Sequence, residues 1–581
     1  MAGLIIVCSR DAASLPLKGY DLRRCAEHLT PDDITANPPD VHEQHGLARA
    51  VVNPVPGVRI APGGVCLGAL FEDADWSTVG AESPDGTYAI VRHDDQSVEL
   101  LTDTFASRTI WYVHTEDLFL ASTSQRALVA LLGSFVPCRE TATWLLAAGN
   151  LGPDCGWDER LTRMPIAARL RLDRRRWTVS TTRRELSYVP RALSADQHLS
   201  RLRDAIFAVC AKLDVESTPT ALTLSGGCDS RSLLVGLAEA DKPVTCVTWG
   251  LAASLSDPKN DAAIAQLLAQ RFGMPHEYLH LDFTDEPVRD VFSRFLRAGE
   301  GRIEDFSGYT DGFSAWEHLF AAGFATLLRG DCPGWGSPYD PIDETVARSI
   351  NMHCTLVGDY PDGHLIHRLG LAEQRRPDPF YQRESETLPQ YRDRLYNDYE
   401  LPTCMAAFND VKCAYLEIVN PLLGRDVVRV TSELPDELRH LRVGFEQVAG
   451  RLVPGVPFAE HPADEQPGAY LSRPDVRAEL VEELSSEAAR RVFSAAALAA
   501  IISDLERPLN TAKSCLRGHV KAVVPRRLVR AVRPSPRPNT DTRRLAFRAY
   551  IASRMRTILD EDAGALRQCG RSPRVRSQYS S

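Results

Sequence analysis

The stretch that decides the fold lies near the middle of the chain and joins an apolar run to a glycine turn. It reads Ala221-Leu222-Thr223-Leu224-Ser225-Gly226-Gly227-Cys228-Asp229-Ser230-Arg231-Ser232-Leu233-Leu234. An apolar run that ends in Ser-Gly-Gly and passes into helical spacing predicts a strand, a loop and a helix start. The Gly-Gly pair alone is also consistent with an ordinary tight turn.

The chemistry of this loop suits an oxyanion. Gly226 and Gly227 carry no β-carbon, so their N–H groups can point into one concavity at a helix N-terminus. Ser225 and Ser230 add hydroxyl donors. Asp229, one turn into the helix, is predicted to hold magnesium, because this hard cation prefers carboxylate and phosphate oxygens.

The string Ser-Gly-Gly-x-Asp-Ser at residues 225–230 resembles the pyrophosphate loop of the ATP pyrophosphatases. That group includes asparagine synthetases, β-lactam synthetase and lasso-peptide cyclases. No lysine follows the glycines, so this is not the phosphate loop of kinases. The resemblance implies that the chain binds ATP and Mg2+, adenylates a carboxylate and releases pyrophosphate.

Length and composition set the broad class. A chain of 581 residues predicts two domains with appendages, and 44% hydrophobic with 25% charged residues is typical of a globular protein. The net charge of −10 argues against a protein that coats nucleic acid. No stretch reaches a membrane span, and residues 1–10 predict a strand rather than a signal peptide, so we expect a cytoplasmic protein. The 14 cysteines form no Cys-x-x-Cys pair, and we expect most to be reduced and buried.

Residues 1–190 are rich in short β-prone runs. Strands are predicted at residues 5–8, 86–93, 97–103, 109–114 and 118–122. Residues 85–90, 100–103, 110–112 and 119–124 resemble the later strands of the glutamine-amidotransferase domain of asparagine synthetases. The resemblance implies a β-sandwich of the N-terminal-nucleophile (Ntn) hydrolase type, and an unrelated antiparallel sheet is the alternative.

The same region departs from an active amidotransferase. Such an enzyme uses an N-terminal cysteine whose own amine serves as base, whereas Ala2 follows the first methionine here and Cys8 lies inside a predicted strand. No Asn-Gly-Glu string is present either. We therefore expect a degenerate domain, with glutamine not serving as nitrogen donor.

Residues 191–525 are predicted to form the synthetase domain. A helix at residues 196–212, strands at 244–250 and 277–281, and a helix over 260–273 alternate around the loop. This α/β alternation predicts a doubly wound parallel sheet with ligands at the carboxyl ends of its strands. The resemblance implies that backbone near Leu224 and from Val247 to Trp249 frames adenine, although Trp249 fits a core position equally well.

A second glycine-rich turn follows the β-prone residues 324–328. It reads Arg329-Gly330-Asp331-Cys332-Pro333-Gly334-Trp335-Gly336 and resembles a loop of asparagine synthetases whose acids meet magnesium and the reacting centre. Asp331 is predicted as the second metal ligand or as the base before it, with Gly330 close to the nucleotide. An incidental surface Asp, and an exposed ion pair for Arg329, are the alternatives.

Two further segments carry predicted catalytic residues. Tyr309 or Asp305, in the acidic and aromatic residues 304–312, is predicted to line an acceptor pocket, and an ordinary loop is the alternative. Residues 414–428 resemble the Glu-x-Arg-x-Pro-Phe-Leu-Asp string of asparagine synthetases. In β-lactam-forming relatives that acid supports the base that deprotonates the attacking amine, so Glu417 inherits this role, with a structural ion pair as the alternative.

One family residue has no counterpart. The family places a lysine past this segment, where it neutralises the leaving pyrophosphate, but residues 456–465 contain none. His461, Arg442 and Arg451 are the candidates to replace it. Without a substitute the transfer step would be weak or absent.

The end of the chain is basic, with 15 Arg and Lys against 4 acids from residue 521 onward. Residues 526–581 are predicted to be a solvated tail that could recruit a partner protein, a leader peptide or, with less support, nucleic acid.

The leading function is an amide ligase for a peptide or small molecule that carries both a carboxylate and an amine, as in ring closure. Amidation of a sugar acid or amino acid by ammonia, adenylate transfer to RNA, and a non-catalytic nucleotide-binding protein are the alternatives.

Overall fold

A computed structural model describes residues 3–13, 15–333, 344–351, 354–360, 371–464, 467–506 and 541–566. Ala2, residues 334–336 of the second glycine turn, and residues 526–540 and 567–581 of the predicted tail lie outside this description. Within it the chain forms two antiparallel sheets of six strands each and one parallel sheet of five.

The first 183 residues supply both antiparallel sheets. Their strands are β1 (Gly3–Ser9), β2 (Asp40–Gln44), β3 (Leu47–Val52), β4 (Arg59–Ala61), β5 (Gly64–Leu70), β6 (Gly86–His93), β7 (Ser97–Thr102), β8 (Trp111–His114), β9 (Leu118–Ser122), β10 (Thr162–Arg163), β11 (Ala168–Asp173) and β12 (Thr178–Arg183). The sheet orders are β10-β8-β9-β1-β3-β2 and β12-β11-β7-β6-β5-β4. All five predicted strands are confirmed.

Strand β1 shows how the two sheets pack, because its side chains alternate between two cores. Leu4 and Ile6 share a buried cluster with Leu67 of the second sheet. Ile5 packs on the opposite face with Leu22 of the first helix. Full burial of each such side chain stabilises the fold by roughly 1.5–3 kcal/mol. The result is a sandwich of two antiparallel sheets.

The parallel sheet carries the glycine loop. Its strands are β13 (Thr220–Thr223), β14 (Thr245–Gly250), β15 (His276–His280), β16 (Thr326–Leu328) and β17 (Glu417–Val419), in the order β15-β14-β13-β16-β17. All neighbouring strands run parallel. Ala221 and Leu222 are both fully buried, in separate clusters on opposite faces. Helices therefore cover both faces, and the predicted doubly wound parallel sheet is confirmed.

The helices are numbered in chain order. They are α1 (Gly19–Leu29), α2 (Gln125–Leu132), α3 (Thr141–Ala148), α4 (Ala195–Lys212), α5 (Cys228–Glu239), α6 (Asp261–Arg271), α7 (Val288–Gly299), α8 (Ser314–Ala321), α9 (Glu344–Asn351), α10 (Leu388–Leu395), α11 (Ala406–Lys412), α12 (Arg425–Ser432), α13 (Asp436–Arg439), α14 (Val443–Leu452), α15 (Pro467–Tyr470), α16 (Pro474–Leu484), α17 (Glu487–Arg490), α18 (Ala495–Glu506) and α19 (Thr542–Ala565). A π-helix, Tyr396–Met405, joins α10 to α11.

The prediction of a solvated tail is wrong for helix α19. Tyr550, Ile551 and Met555 of this helix are fully buried. Arg126 of helix α2 forms a buried ion pair with Asp562 near the end of α19. The apolar face of α19 therefore packs into a buried core, although the segment as a whole is rich in basic residues.

None of the helices in the described ranges is long and apolar enough to cross a membrane. The cysteines in those ranges are free, and all except Cys138 and Cys155 are buried, as predicted.

Candidate functional site

A cavity of about 380 Å³ opens beside the carboxyl ends of strands β13, β14 and β16. Ligands bind at this edge of parallel α/β sheets because loops and helix N-termini converge there. The cavity is lined by Thr223, Leu224, Ser225, Gly227, Cys228, Asp229, Ser230, Val247, Thr248, Trp249, Asp261, Arg329, Gly330, Asp331, Arg442, Ala463 and Asp464.

Most residues predicted to bind nucleotide or metal therefore line one cavity. Gly226 lies in the same loop but outside the lining set, and Tyr309 and Glu417 lie elsewhere. Trp249 satisfies both readings made from the sequence, because it lines the cavity and its ring centroid lies 5.2 Å from that of Trp316 in the core.

The amides of the glycine loop are partly engaged by protein side chains. The Gly226 N–H donates to Asp261 Oδ1 at 2.9 Å, and the Gly227 N–H donates to Ser225 Oγ at 3.2 Å. The Ser225 N–H in turn donates to Ser230 Oγ at 3.0 Å. The expectation that both glycine amides face an anion is therefore not met in this state. The first turn of α5, with the positive end of its dipole, remains the anion-attracting element.

Two glycines are required by close packing around the loop. A β-carbon on Gly330 would lie 2.9 Å from both the Ser230 nitrogen and the Asp229 β-carbon. One on Gly226 would lie 2.5 Å from the Ala459 β-carbon. The second glycine turn and residues near 459 thus press directly on the loop, which sets its shape.

Two acid–arginine pairs give the cavity its charge. Asp229 forms an ion pair with Arg442, and Asp331 pairs with Arg329 at 3.1 Å. Burial raises the pKa of Asp229, although Arg442 favours its charged form. Burial would also raise the pKa of Asp331, but the Arg329 contact and an Asn409 hydrogen bond outweigh it and lower that pKa. Arg442 and Arg329 therefore each oppose the effect of burial on the neighbouring carboxyl group.

Of the three candidates for the missing lysine, only Arg442 lines the cavity. His461 lies 2.7 Å from Asp257 in a half-exposed pair, and Arg451 pairs with Asp196 at 2.9 Å on the surface. Arg442 has a left-handed backbone, with φ of 57°, which is uncommon for a residue with a β-carbon. The structure therefore brings a cation to the site from the residue that precedes helix α14 rather than from residues 456–465.

The donor set suits a nucleotide with magnesium. Mg2+ bound to nucleotide phosphates usually takes only one or two protein carboxylates, and Asp229 and Asp331 face the same cavity. No group of three or more His, Cys, Asp or Glu side chains that could hold a metal alone occurs in the described parts of the chain. Asp229 and Asp331 as metal ligands stay a prediction, and each would have to share its charge with an arginine.

Glu417 lies in an ion pair between the two halves of the chain. It is 2% exposed, and Arg108 of the antiparallel region donates to its Oε2 at 2.9 Å. Arg108 also lies 3.6 Å from Asp410. These contacts match the alternative reading of Glu417 as a structural ion pair, and its catalytic role stays a prediction without a contact to the cavity.

Tyr309 belongs to the aromatic core. It is fully buried, its ring stacks on Phe313 at 4.7 Å, and its hydroxyl donates to the Phe408 carbonyl at 3.4 Å. The expectation that Tyr309 lines an acceptor pocket is therefore not met. Asp305 does line a second cavity of about 120 Å³, together with Glu400 and Phe408.

Lys412 is a residue that sequence reasoning missed. It is 1% exposed, and its Nζ donates to the Phe408 carbonyl at 2.8 Å and lies 3.1 Å from the Phe408 ring centroid. Burial, followed by repulsion from Arg329, lowers the pKa of Lys412 well below its ordinary value. Arg329, which lines the large cavity, lies over the same Phe408 ring at 5.5 Å, and Phe408 also lines the small cavity. Nothing in the local sequence distinguishes this lysine from a surface one.

Comparison with known proteins supports the resemblance. The family model named asparagine synthase matches residues 201–316, which contain the glycine loop, strand β14 and helix α6. Residues 201–316 are therefore asparagine synthetase-like. This match supports an ATP-dependent amide-forming ligase in general. No curated protein matches the chain.

Two solved structures overlap the chain weakly. A structure of the allosteric regulatory enzyme of purine biosynthesis has a TM-score of 0.20 and 9% identity, covering 48% of this chain and 80% of its own. The glutamine phosphoribosylpyrophosphate amidotransferase from B. subtilis, complexed with ADP and GMP, has a TM-score of 0.19 and 11% identity, covering 58% and 83%. Scores this low carry no argument about fold or function.

Proposed function

We propose that this protein activates a substrate carboxylate with ATP as an acyl-adenylate, releases pyrophosphate, and closes an amide as an amine that does not come from glutamine displaces AMP. The observation that supports this most is the convergence of Ser225, Asp229, Asp331 and Arg442 on one cavity, beside strands that match the asparagine synthase family. The substrate is a peptide or small metabolite that supplies both carboxylate and amine. Amidation by free ammonia is the nearest alternative.

Different residues of the cavity bind different parts of the nucleotide. The start of α5 and the Ser225 and Ser230 hydroxyls hold phosphate oxygens, and Leu224 with residues 247–249 frames the base. Asp229 and Asp331 would hold magnesium, which would supply positive charge to neutralise the phosphates. Arg442 takes the role of the absent lysine, because its guanidinium can shift from Asp229 to the departing pyrophosphate. Enclosure then keeps water from the activated carboxyl group.

The test is exchange of labelled pyrophosphate into ATP across a panel of carboxylates. We expect exchange with at least one peptide or amino acid, and about a hundredfold loss in Arg442→Gln. Arg451→Gln is the matched control, because its ion pair with Asp196 is exposed and remote from the cavity. ADP and orthophosphate as products would overturn the proposal. Glutamine labelled in its amide nitrogen should transfer no label.

A second candidate is a nucleotide-binding protein without catalysis. The Asp229–Arg442 ion pair favours it, because the pair occupies the carboxylate that the reaction would assign to magnesium. ATP binding without exchange over the whole panel would support this candidate. Exchange that requires RNA would instead indicate adenylate transfer to RNA.

A further inference from the structure

Another large cavity, of about 400 Å³, lies against the second antiparallel sheet. Its composition differs from that of the cavity at the glycine loop, and the two share no lining residue. Strands β6, β7, β11 and β12 supply one wall, and Arg425 at the start of helix α12 supplies another. We call it the arginine groove. It is lined by Glu82, Ser83, Pro84, Tyr88, Thr102, Thr104, Ala167, Arg169, Thr182, Arg183, Arg184 and Arg425.

Charge separates this groove from an ordinary surface cleft. Four of its lining residues are arginines and one, Glu82, is acidic. Arg169 lies on β11, Arg183 ends the adjacent edge strand β12, and Arg184 follows it directly. Like charges that line one cavity repel one another, and an anion between them removes that repulsion. The groove therefore has the electrostatic character of an anion site.

Two of the arginines have carboxylate neighbours. Arg183 pairs with Asp398 at 3.0 Å, and Arg425 lies 4.0 Å from Glu72. Arg425 also donates to the Ser83 carbonyl at 2.9 Å, which fixes it against the antiparallel region. These contacts position both guanidinium groups at the groove without filling it.

The other two arginines contribute positive charge that no ion pair within the described ranges neutralises. Arg169 donates to the Ala81 carbonyl at 2.6 Å, a neutral acceptor. Across the described ranges, neither Arg169 nor Arg184 forms an ion pair with a carboxylate. A guanidinium presents a planar fork that matches two oxygens of a phosphate or carboxylate. Thr104 and Thr182 add hydroxyl groups beside them.

We propose that the arginine groove binds a small anion with two or more phosphate or carboxylate groups, and that this anion bridges the antiparallel region to helix α12. The volume suits a ligand of metabolite size. Arg169 and Arg184 bind it from the sheet, and Arg425 binds it from the helix. The groove shares no lining residue with the nucleotide cavity, so this site stands whether or not the proposed reaction occurs.

The experiment first saturates the glycine-loop cavity of the full chain with a non-hydrolysable ATP analogue, and then titrates the chain by calorimetry with inorganic pyrophosphate and, separately, with citrate. We compare wild type with Arg169→Gln/Arg184→Gln and with the control Arg175→Gln/Arg176→Gln, whose exposed arginines lie in the β11–β12 turn outside the groove. We expect at least about a tenfold loss of affinity in the groove variant and none in the control. The preferred probe distinguishes a phosphate ligand from a polycarboxylate.

Thermal unfolding supplies a second readout, because an anion that binds only the folded chain raises Tm. The rise should vanish in the groove variant and persist in the control. Equal affinity and equal Tm shift in wild type and groove variant would overturn the proposal. So would the absence of binding by either probe at physiological salt, which would leave the arginines as charges that protect an edge strand from pairing.

Discussion

The glycine loop at residues 224–230 and the segment at residues 417–424 both resemble asparagine synthetases in sequence. In the structure, the loop lines the cavity and the other segment does not. The loop places Ser225, Asp229 and Ser230 at the cavity, as predicted. Glu417, the acid that opens the other segment, points instead into an ion pair with Arg108 of the antiparallel region.

The difference follows from what each motif needs. A loop that holds phosphate depends on backbone shape, which the Gly226-Gly227 pair makes possible and which packing against Gly330 and Ala459 then sets. The role of a single carboxylate depends on which charge lies next to it in space. A motif of backbone groups is therefore a safer guide to a site than one acidic residue in a family string.

The largest expected effect tests the loop side of this contrast. Asp229→Ala should lower pyrophosphate exchange by at least about a hundredfold, because it removes the predicted metal ligand and the partner that positions Arg442. Asp257→Ala, which removes exposed contacts with His461 and the Lys259 amide, is the control. Circular dichroism should show that both variants fold. Unchanged exchange in Asp229→Ala would refute the metal assignment.

The role of Glu417 in the ion pair is tested by the free energy of unfolding. Glu417→Gln should lower the free energy of unfolding by about 3 kcal/mol, because it leaves the buried Arg108 guanidinium without a full counter-charge. Urea denaturation of this variant is compared with Glu460→Gln, whose exposed pair with Lys259 contributes at most about 1 kcal/mol. A stable Glu417→Gln protein that has lost exchange would instead support the chemical role.

Loop shape is tested by adding one methyl group. Gly330→Ala should weaken binding of a non-hydrolysable ATP analogue by about tenfold, since its β-carbon would displace the Ser230 amide at the start of α5. Gly450→Ala provides the control, because its β-carbon would meet no atom within 4 Å. Calorimetric titration measures both. Equal affinity in the two variants would show that the loop tolerates the shift.

The smallest effect concerns Lys412, which is buried against the Phe408 ring. Its lowered pKa means that the unfolded chain binds more protons than the folded one above that pKa. The free energy of unfolding should therefore rise with pH up to the ordinary lysine range, by at most about 1.4 kcal/mol per pH unit. Lys412→Met should flatten this rise in urea titrations at several pH values, while Lys259→Met should not. An unaltered slope in Lys412→Met would show that Lys412 stays charged.

Sequence patterns predicted those elements whose signal lies within a few residues. Strand β6 (Gly86–His93) and strand β9 (Leu118–Ser122) have the predicted bounds, and helix α4 begins one residue before its prediction. Strands β3 and β5 were missed although they are almost wholly buried. Short apolar runs buried on both faces lack the alternation that identifies a strand. Helix α19 was missed because its arginines dominated the reading of its composition.

The residues of the candidate site also differ in whether a local sequence signal predicts them. Gly227 is predicted from a glycine turn after a strand, a signal that needs no knowledge of the rest of the fold, whereas Leu224 and Gly330 are predicted from the resemblance to asparagine synthetases. Arg442 was one of three candidates, and only its approach to Asp229 distinguishes it from Arg451. Asp261 was read as the start of a helix, whereas it also accepts from the Gly226 amide.

By itself, the sequence determined the parallel sheet, the glycine loop at the end of β13 and part of the cavity lining there, namely Ser225, Gly227, Asp229 and Ser230. Tertiary structure alone decided the partners of the charged groups. Asp229 and Arg442 lie 213 residues apart in the chain, and Arg108 and Glu417 lie 309 apart. The physical reason is the separation along the chain over which each effect acts. Backbone conformation follows from neighbours in sequence. The energy of a buried charge depends instead on the opposite charge that the whole fold brings within a few ångströms.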